Sequence, residues 1–132
     1  MKFAVIGGSG LYKLDHMSGI KKIKISTPFG DPSDKIVAGK LRKTEIFFLP
    51  RHGVGHFILP SEINHRANIY ALKKLGVTHI VSISAVGSLR EELRPRDVVV
   101  VDQYVDRTKR SLDHSFFGNG IAGHIAFADP VD

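Results

Sequence analysis

Residues 61–84, with the sequence SEINHRANIYALKKLGVTHIVSIS, place a helical pattern directly before a β-branched strand. We predict a helix over residues 61–75, because Ser61 is a favoured N-cap and Gly76 suits the C′ position. Apolar residues at helical spacing predict one buried face. This face comprises Ile63, Ala67, Tyr70 and Ala71. A strand over residues 78–84 follows at once, and this alternation of helix and strand is typical of an α/β domain.

Further apolar runs on both sides of this stretch predict the other strands. They cover residues 2–6, 20–25, 35–40, 45–49 and 98–101. Several strands precede the strand–helix–strand pattern, which indicates an α/β fold built on a mixed, twisted sheet with flanking helices. Because one long helix is predicted for the whole sheet, we expect an uncovered face or edge. The sequence also stops without a closing helix, so we expect an apparently truncated domain.

The composition is that of a globular protein, with 42% hydrophobic and 24% charged residues among 132 and no cysteine. No apolar run approaches the roughly 20 residues of a transmembrane helix, and the N-terminal run is too short for a signal peptide. We therefore expect a soluble, cytoplasmic protein without a membrane partner. The net charge of +6 is scattered along the chain. Without a basic stripe or a reader motif it favours a small anion over nucleic acid.

Glycines after the first predicted strand form the first candidate anion site. Residues 6–12 read IGGSGLY; such glycines let backbone N–H groups converge on an anion, and Ser9 adds a hydroxyl donor. A dinucleotide-binding fingerprint would need glycine where Lys13 stands, and a Walker A loop would need a Gly-Lys-Ser/Thr sequence that does not follow. The residues alone leave a tight turn and an anion cradle as equal alternatives.

An arginine–histidine pair after residues 45–49 forms the second candidate site. Arg51 presents a fork of N–H donors that matches phosphate, and His52 can donate to a phosphate or sugar oxygen. Gly53 and Gly55 leave the loop free to wrap a ligand. A solvated surface loop is the alternative. Two histidines four residues apart, without a carboxylate beside them, make a poor metal site, so we expect no metal.

The end of the strand over residues 78–84 forms the third candidate site. Ser84 offers a hydroxyl and the step to Ala85 offers backbone amides, at a strand end of the kind where ligands bind in open α/β sheets. A Ser/Gly turn is the alternative. Taken together, the three strand ends offer cationic or uncharged donors, and they predict a phosphate pocket.

In order and spacing, these motifs resemble those of methylthioadenosine phosphorylases, which belong to the purine nucleoside phosphorylases. The resemblance is collinear and covers the whole chain. It rests on residues 6–12, 27–30, 32–34, 50–53, 64–69, 84–90, 102–108, 115–117 and 128–130. It implies the fold of that family, with residues 1–132 as the N-terminal portion of a single nucleoside phosphorylase domain. Two departures are His65, where the family usually has Tyr, and Val131, where it usually has Phe.

The resemblance also implies a reaction, the phosphorolysis of 5′-methylthioadenosine to adenine and 5-methylthioribose 1-phosphate. Inorganic phosphate would be the co-substrate, no metal or organic cofactor would take part, and the enzyme would be a homo-oligomer, either a trimer or a hexamer. Phosphate would be held by Ser9, Arg51, His52, Ser84 and Ala85. The nucleoside would be bound by His56 and by His124, the latter reaching toward the pocket of a neighbouring subunit.

The groups that handle the purine base in that family have no counterpart in this sequence. They lie on an Asp-containing segment, and a separate Glu-Gly-Pro-Arg-Phe segment contributes further phosphate and ribose contacts. The catalytic residue therefore stays unassigned, and another purine nucleoside such as methylthioinosine, inosine or guanosine stays open as the substrate. A non-catalytic, phosphate-binding fragment is the alternative outside the enzyme class.

Overall fold

The computed structural model describes residues 1–8, 16–108 and 114–131. The chain divides into two compact units, Met1–Ser84 and Ala85–Asp132, and each is described by itself. None of the helices formed by the described residues is long and apolar enough to cross a membrane.

A five-stranded sheet forms the centre of the first unit. Its strands are β1 (Phe3–Gly7), β2 (Met17–Ile23), β3 (Ile36–Leu41), β4 (Thr44–Pro50) and β5 (His79–Ser82). They lie in the order β2-β3-β4-β1-β5. β1 runs parallel to β4 and β5, whereas β3 runs antiparallel to β2 and β4. The predicted mixed sheet is therefore confirmed, with strand bounds that differ by a few residues from the predicted ones.

The helix α1, His65–Lys74, packs on one face of this sheet. Alternate residues of a strand point to the same face, and those of β1, β3 and β4 on this side are buried with the helix. The shared core comprises Ala4, Ile36, Ala38, Phe47, Leu49, Ala71, Leu72 and Val77. Because burial of apolar surface is the main term that favours folding, this core fixes α1 against β1 and β4, which lead into two of the three candidate loops.

The predicted start of α1 is wrong. Ser61 lies in a separate 3₁₀ turn, Pro60–Glu62, and the buried Ile63 then has an extended backbone with φ −64° and ψ 120°. The N-cap is Asn64, whose side chain accepts a hydrogen bond of 3.0 Å from the N–H of Ala67. Asn caps a helix as well as Ser does, so residue type alone left both positions eligible, and the extended residue between them decides for Asn64.

The predicted end of α1 and most of its buried face are confirmed. Gly76 has φ +78°, the left-handed conformation in which glycine ends a helix without steric cost. Ala67 and Ala71 are fully buried. Tyr70 is the exception, because 37% of the residue is exposed. Its ring packs edge-on against the ring of Phe29, with centroids 5.6 Å apart.

The strand predicted over residues 98–101 is also wrong. This segment lies in the second unit, where Val98 and Val100 are 91% and 88% exposed, and no described segment pairs with it. A strand is stabilised by the hydrogen-bonding groups of its neighbour. A run of valines therefore predicts a strand only when another segment of the same structure supplies the partner.

Side chains join two distant segments of the second unit. The amide nitrogen Nε2 of Gln103 donates to the carbonyl of Ala128 over 2.8 Å. The rings of Tyr104 and Phe127 pack edge-on with centroids 5.2 Å apart. Two of the family-like motifs therefore lie together within this unit.

Candidate functional site

The three parallel strands end at one edge of the sheet. Gly7 of β1 is in register with Pro50 of β4. The segments that follow continue the pairing: the N–H of Arg51 donates to the carbonyl of Gly7 over 3.1 Å, and the N–H of Ile83 donates to that of Ile6 over 2.9 Å. The loops after β4 and β5 therefore start on either side of the end of β1, at the strand ends where α/β sheets bind ligands.

Arg51 is the centre of the described part of the site. Its Nη1 donates to the carbonyl of Ile83 over 2.9 Å and to the hydroxyl of Ser84 over 3.0 Å. Its Nε donates to Nε2 of His52 over 3.1 Å. A guanidinium has five N–H groups, and the two on Nη2 contact none of the described residues. The structure thus brings together three of the predicted phosphate ligands, and Nη2 of Arg51 donates to none of the described residues.

The ring of His52 is buried and both of its nitrogens are engaged. Nδ1 lies 2.9 Å from the carbonyl of Ile58, and a carbonyl can only accept, so Nδ1 carries the proton. Nε2 must then offer its lone pair, which is what the N–H of Arg51 requires. His52 is therefore a neutral imidazole in the Nδ1–H tautomer, and it orients the guanidinium of Arg51.

The loop after β4 is shaped by left-handed backbone positions. Gly53 and Gly55 have φ +71° and φ +96°, and His56 has φ +58°. A Cβ on Gly53 would lie 2.6 Å from the ring of Phe57 and would be strained by the positive φ, so glycine suits this position best. The ring of His56 stacks on that of His52, with centroids 4.5 Å apart. His56 therefore lies beside the Arg51–His52 pair, as expected of a residue near the pocket.

The remaining predicted ligands lie outside the described residues or belong to the second unit. Ser9 is outside the described residues, although Gly8 before it directly follows β1. Ala85 begins the second unit, and His124 is an exposed residue of that unit. Among the described residues, no three His, Cys, Asp or Glu side chains converge as a metal ion would require.

Three groups of the site were not singled out from the sequence. Two are the carbonyls of Ile58 and Ile83, which carry no side-chain signal. The third is Asp34, whose Oδ2 accepts a hydrogen bond of 2.8 Å from the N–H of Val54. Its place in a family-like motif was visible in the sequence, but its contact with a loop 20 residues away was not.

Comparison with known proteins identifies the family of this chain. The family model described as the phosphorylase superfamily matches residues 2–132. The S-methyl-5′-thioadenosine phosphorylase of Geobacter sulfurreducens is 56% identical over 127 residues, which cover 96% of this chain and 44% of that protein. A crystal structure of methylthioadenosine phosphorylase from an antarctic soil metagenomic library superposes with a TM-score of 0.91 at 53% identity, over 98% of this chain and 45% of that one.

The methylthioadenosine phosphorylase of Schistosoma mansoni in complex with adenine has a TM-score of 0.87 at 43% identity, over 98% of this chain and 48% of that one. This chain spans less than half the length of each of these three proteins. The predicted resemblance to methylthioadenosine phosphorylases is confirmed in both sequence and fold. The chain belongs to the phosphorylase superfamily.

Proposed function

We propose that the protein containing this chain catalyses the phosphorolysis of 5′-methylthioadenosine to adenine and 5-methylthioribose 1-phosphate. The observation that carries the proposal is the position of Arg51 at the end of parallel strands. It is tied to Ser84 and His52, and its Nη2 donates to no residue in the described part of the chain, so this group could bind an oxyanion. The relatives named for this reaction support it. The adenine bound by the S. mansoni relative supports adenine, rather than another purine, as the base.

The proposed chemistry needs inorganic phosphate and no other cofactor. A phosphate oxygen attacks the anomeric carbon as the bond from that carbon to the purine nitrogen breaks. The bonding electrons leave with the purine, which must be protonated or hydrogen-bonded. Phosphate is both the nucleophile and the counter-charge to a ribosyl cation-like transition state. Its orientation by Arg51 together with His52, in a cradle completed by Ser9, Ser84 and the Ala85 amide, would lower the barrier.

His56 and His124 complete the proposal as nucleoside ligands. The ring of His56 stacks on that of His52, which supports a role at the edge of the pocket. His124 is exposed, and we propose that it reaches the nucleoside site of a neighbouring subunit in a trimer or hexamer. We further propose a cytoplasmic location, in keeping with relatives named as enzymes of small-molecule metabolism.

Crystals of the complete gene product soaked in phosphate test this site directly. We expect one oxyanion within hydrogen-bond reach of Ser9, Arg51 and the Ser84–Ala85 step. The same crystals should place His124 against the Arg51 loop of another subunit. Crystals of Arg51→Ala under identical conditions are the control and should lose the ion. Phosphate bound only away from Arg51 would contradict the site, and His124 in bulk solvent in every assembly would contradict its role.

Two substitutions of His52 separate its orienting role from direct phosphate binding. His52→Gln keeps an acceptor near the position of Nε2, whereas His52→Asn keeps only a donor near Nδ1 for the carbonyl of Ile58. A hydrogen bond contributes about 0.5–1.5 kcal/mol net, so we expect His52→Asn to raise the phosphate KM roughly two- to tenfold and His52→Gln to stay within about twofold. Steady-state kinetics at varied phosphate measure this, and nitrogen NMR of His52 should show the Nδ1–H tautomer. A larger loss in the Gln variant would contradict the orienting role.

A further inference from the structure

The loop that carries Arg51 is tied to a distant segment by the side chain of Asp34. Oδ2 of Asp34 accepts from the N–H of Val54 over 2.8 Å, and Oδ1 accepts from the N–H of Lys35 over 2.6 Å. Both carboxylate oxygens are therefore engaged by backbone donors, and such charge-assisted bonds are the stronger kind. The contact joins two loops that precede and follow the β3–β4 hairpin.

The residue before Asp34 is hydrogen-bonded to α1. The adjacent Ser33 donates from its backbone N–H to Oδ1 of Asn68 over 2.8 Å, and Nδ2 of Asn68 donates back to the hydroxyl of Ser33 over 2.9 Å. Both residues are buried, and Asn68 lies on α1. The backbone next to Asp34 is thus tied to the helix that packs on the sheet.

The bond from Asp34 adds a contact from another segment to a loop that otherwise closes on itself, as where the N–H of His56 donates to the carbonyl of Gly53 over 3.1 Å. Val54 is 57% exposed, so its side chain contributes little burial. Gly53 and Gly55 flank it, and glycine loses more conformational freedom on ordering than any other residue. A fixed acceptor for the Val54 N–H restricts the conformations of the turn that directly follows Arg51 and His52.

We propose that Asp34 is a positioning residue of the phosphate site, acting through the Val54 amide on the Arg51 loop. The inference rests on the proposed function of that site. The proposal predicts a change in phosphate affinity opposite in direction to the one that the charge of Asp34 would cause. A carboxylate near an anion site repels the anion, so removing the charge alone would strengthen phosphate binding. Loss of the hydrogen bond would weaken it, because the loop that carries Arg51 would lose its tie to the Asp34 segment and would position the guanidinium less tightly.

Asp31 supplies a matched control on the same segment. Its Oδ1 accepts from the hydroxyl of Ser26 over 3.3 Å, and it lines the same shallow depression as Asp34 without contacting the Arg51 loop. Asp31→Ala and Asp34→Ala thus remove the same charge from neighbouring positions. Asp34→Asn keeps one acceptor oxygen for one of the two backbone N–H groups and places an N–H donor against the other. Its phosphate KM should therefore lie between those of Asp34→Ala and the unsubstituted protein.

The experiment measures the phosphate KM, the nucleoside KM and kcat of the complete gene product and of each variant. We expect Asp34→Ala to raise the phosphate KM roughly three- to tenfold, with a smaller rise for Asp34→Asn and an unchanged nucleoside KM. Amide hydrogen exchange at residues 53–56 should accelerate in the Asp34 variants only. Asp31→Ala should leave the phosphate KM unchanged or lower.

The possible outcomes separate this inference from the proposed function. An unsubstituted protein without phosphate-dependent turnover would overturn the proposed function and the inference with it. Phosphate-dependent turnover that Asp34→Ala leaves unaltered would overturn the inference alone. An equal rise of the phosphate KM and the nucleoside KM in Asp34→Ala would also overturn it, since a general loss of folding changes both.

Discussion

The 132-residue chain, purified alone and given methylthioadenosine and phosphate, is expected to release adenine about 10²–10⁴-fold more slowly than the full-length relative from G. sulfurreducens. The chain spans 44% of that relative, and no residue of the sequence is assigned to the departing purine. Losing one positioned donor or acid typically costs about this factor. Adenine release, followed with and without phosphate, measures the difference.

The control for this prediction supplies the part of the relative that this chain does not cover. The C-terminal half of the same relative, added in trans or fused to this chain, should bring back adenine release that depends on phosphate. The chain alone should also self-associate, because large exposed apolar surfaces such as those of Val98 and Val100 drive association. Robust turnover by a monodisperse sample of the 132-residue chain would contradict both expectations.

Arg51→Ala in the complete gene product is expected to raise the phosphate KM by about tenfold or more and to lower kcat. A charge-assisted hydrogen bond contributes roughly 1.5–3 kcal/mol, and the substitution removes the Nη2 donors together with the bonds to Ser84 and His52. The kcat falls as well, because phosphate that is bound without the fork is not aligned for attack. Initial rates at varied phosphate give both constants.

Lys43→Ala is the matched control for Arg51→Ala. Lys43 lies in the turn between β3 and β4, at the opposite end of β4 from Arg51, and it is exposed. Lys43→Ala removes one unit of positive charge, as Arg51→Ala does, so a general electrostatic effect on phosphate binding would appear in both variants. Arg51→Lys keeps the charge without the fork and should recover only part of the lost affinity. Unchanged phosphate kinetics in Arg51→Ala would place Arg51 outside the site.

An element of the fold could be predicted where its local sequence pattern is matched by a segment of the described structure that packs or pairs with it. The end of α1 at Gly76 follows from a backbone conformation that glycine favours, and Ala67 and Ala71 follow from helical spacing. The start of α1 could not be predicted, because Ser61 and Asn64 are equally good caps and the choice depends on the extended residue between them. Residues 98–101 have strand composition, yet no described segment pairs with them.

The sequence indicated which side chains meet at the candidate site, but it did not indicate the backbone groups that they contact. Arg51 and Ser84 could be found because a cationic fork and a hydroxyl at strand ends are typical of phosphate sites, and the structure joins them over 3.0 Å. The engagement of both nitrogens of His52 could not be foreseen, since one partner is the carbonyl of Ile58. Sequence patterns record side chains, whereas this orientation depends on where a carbonyl points.

The central place of β1 in the sheet also bears on how the chain reaches its folded state. The β3–β4 hairpin closes through a two-residue turn and can form early, but β1 must insert between β4 and β5, pairing Phe3 with Ile46 on one side and with His79 on the other. Such pairings over long sequence distances are slow, because loop closure precedes any stabilising contact. Arg51 and Ser84 therefore meet only after the emerging polypeptide has passed β5, and a ribosome-bound intermediate with a shorter nascent chain cannot capture phosphate through both residues.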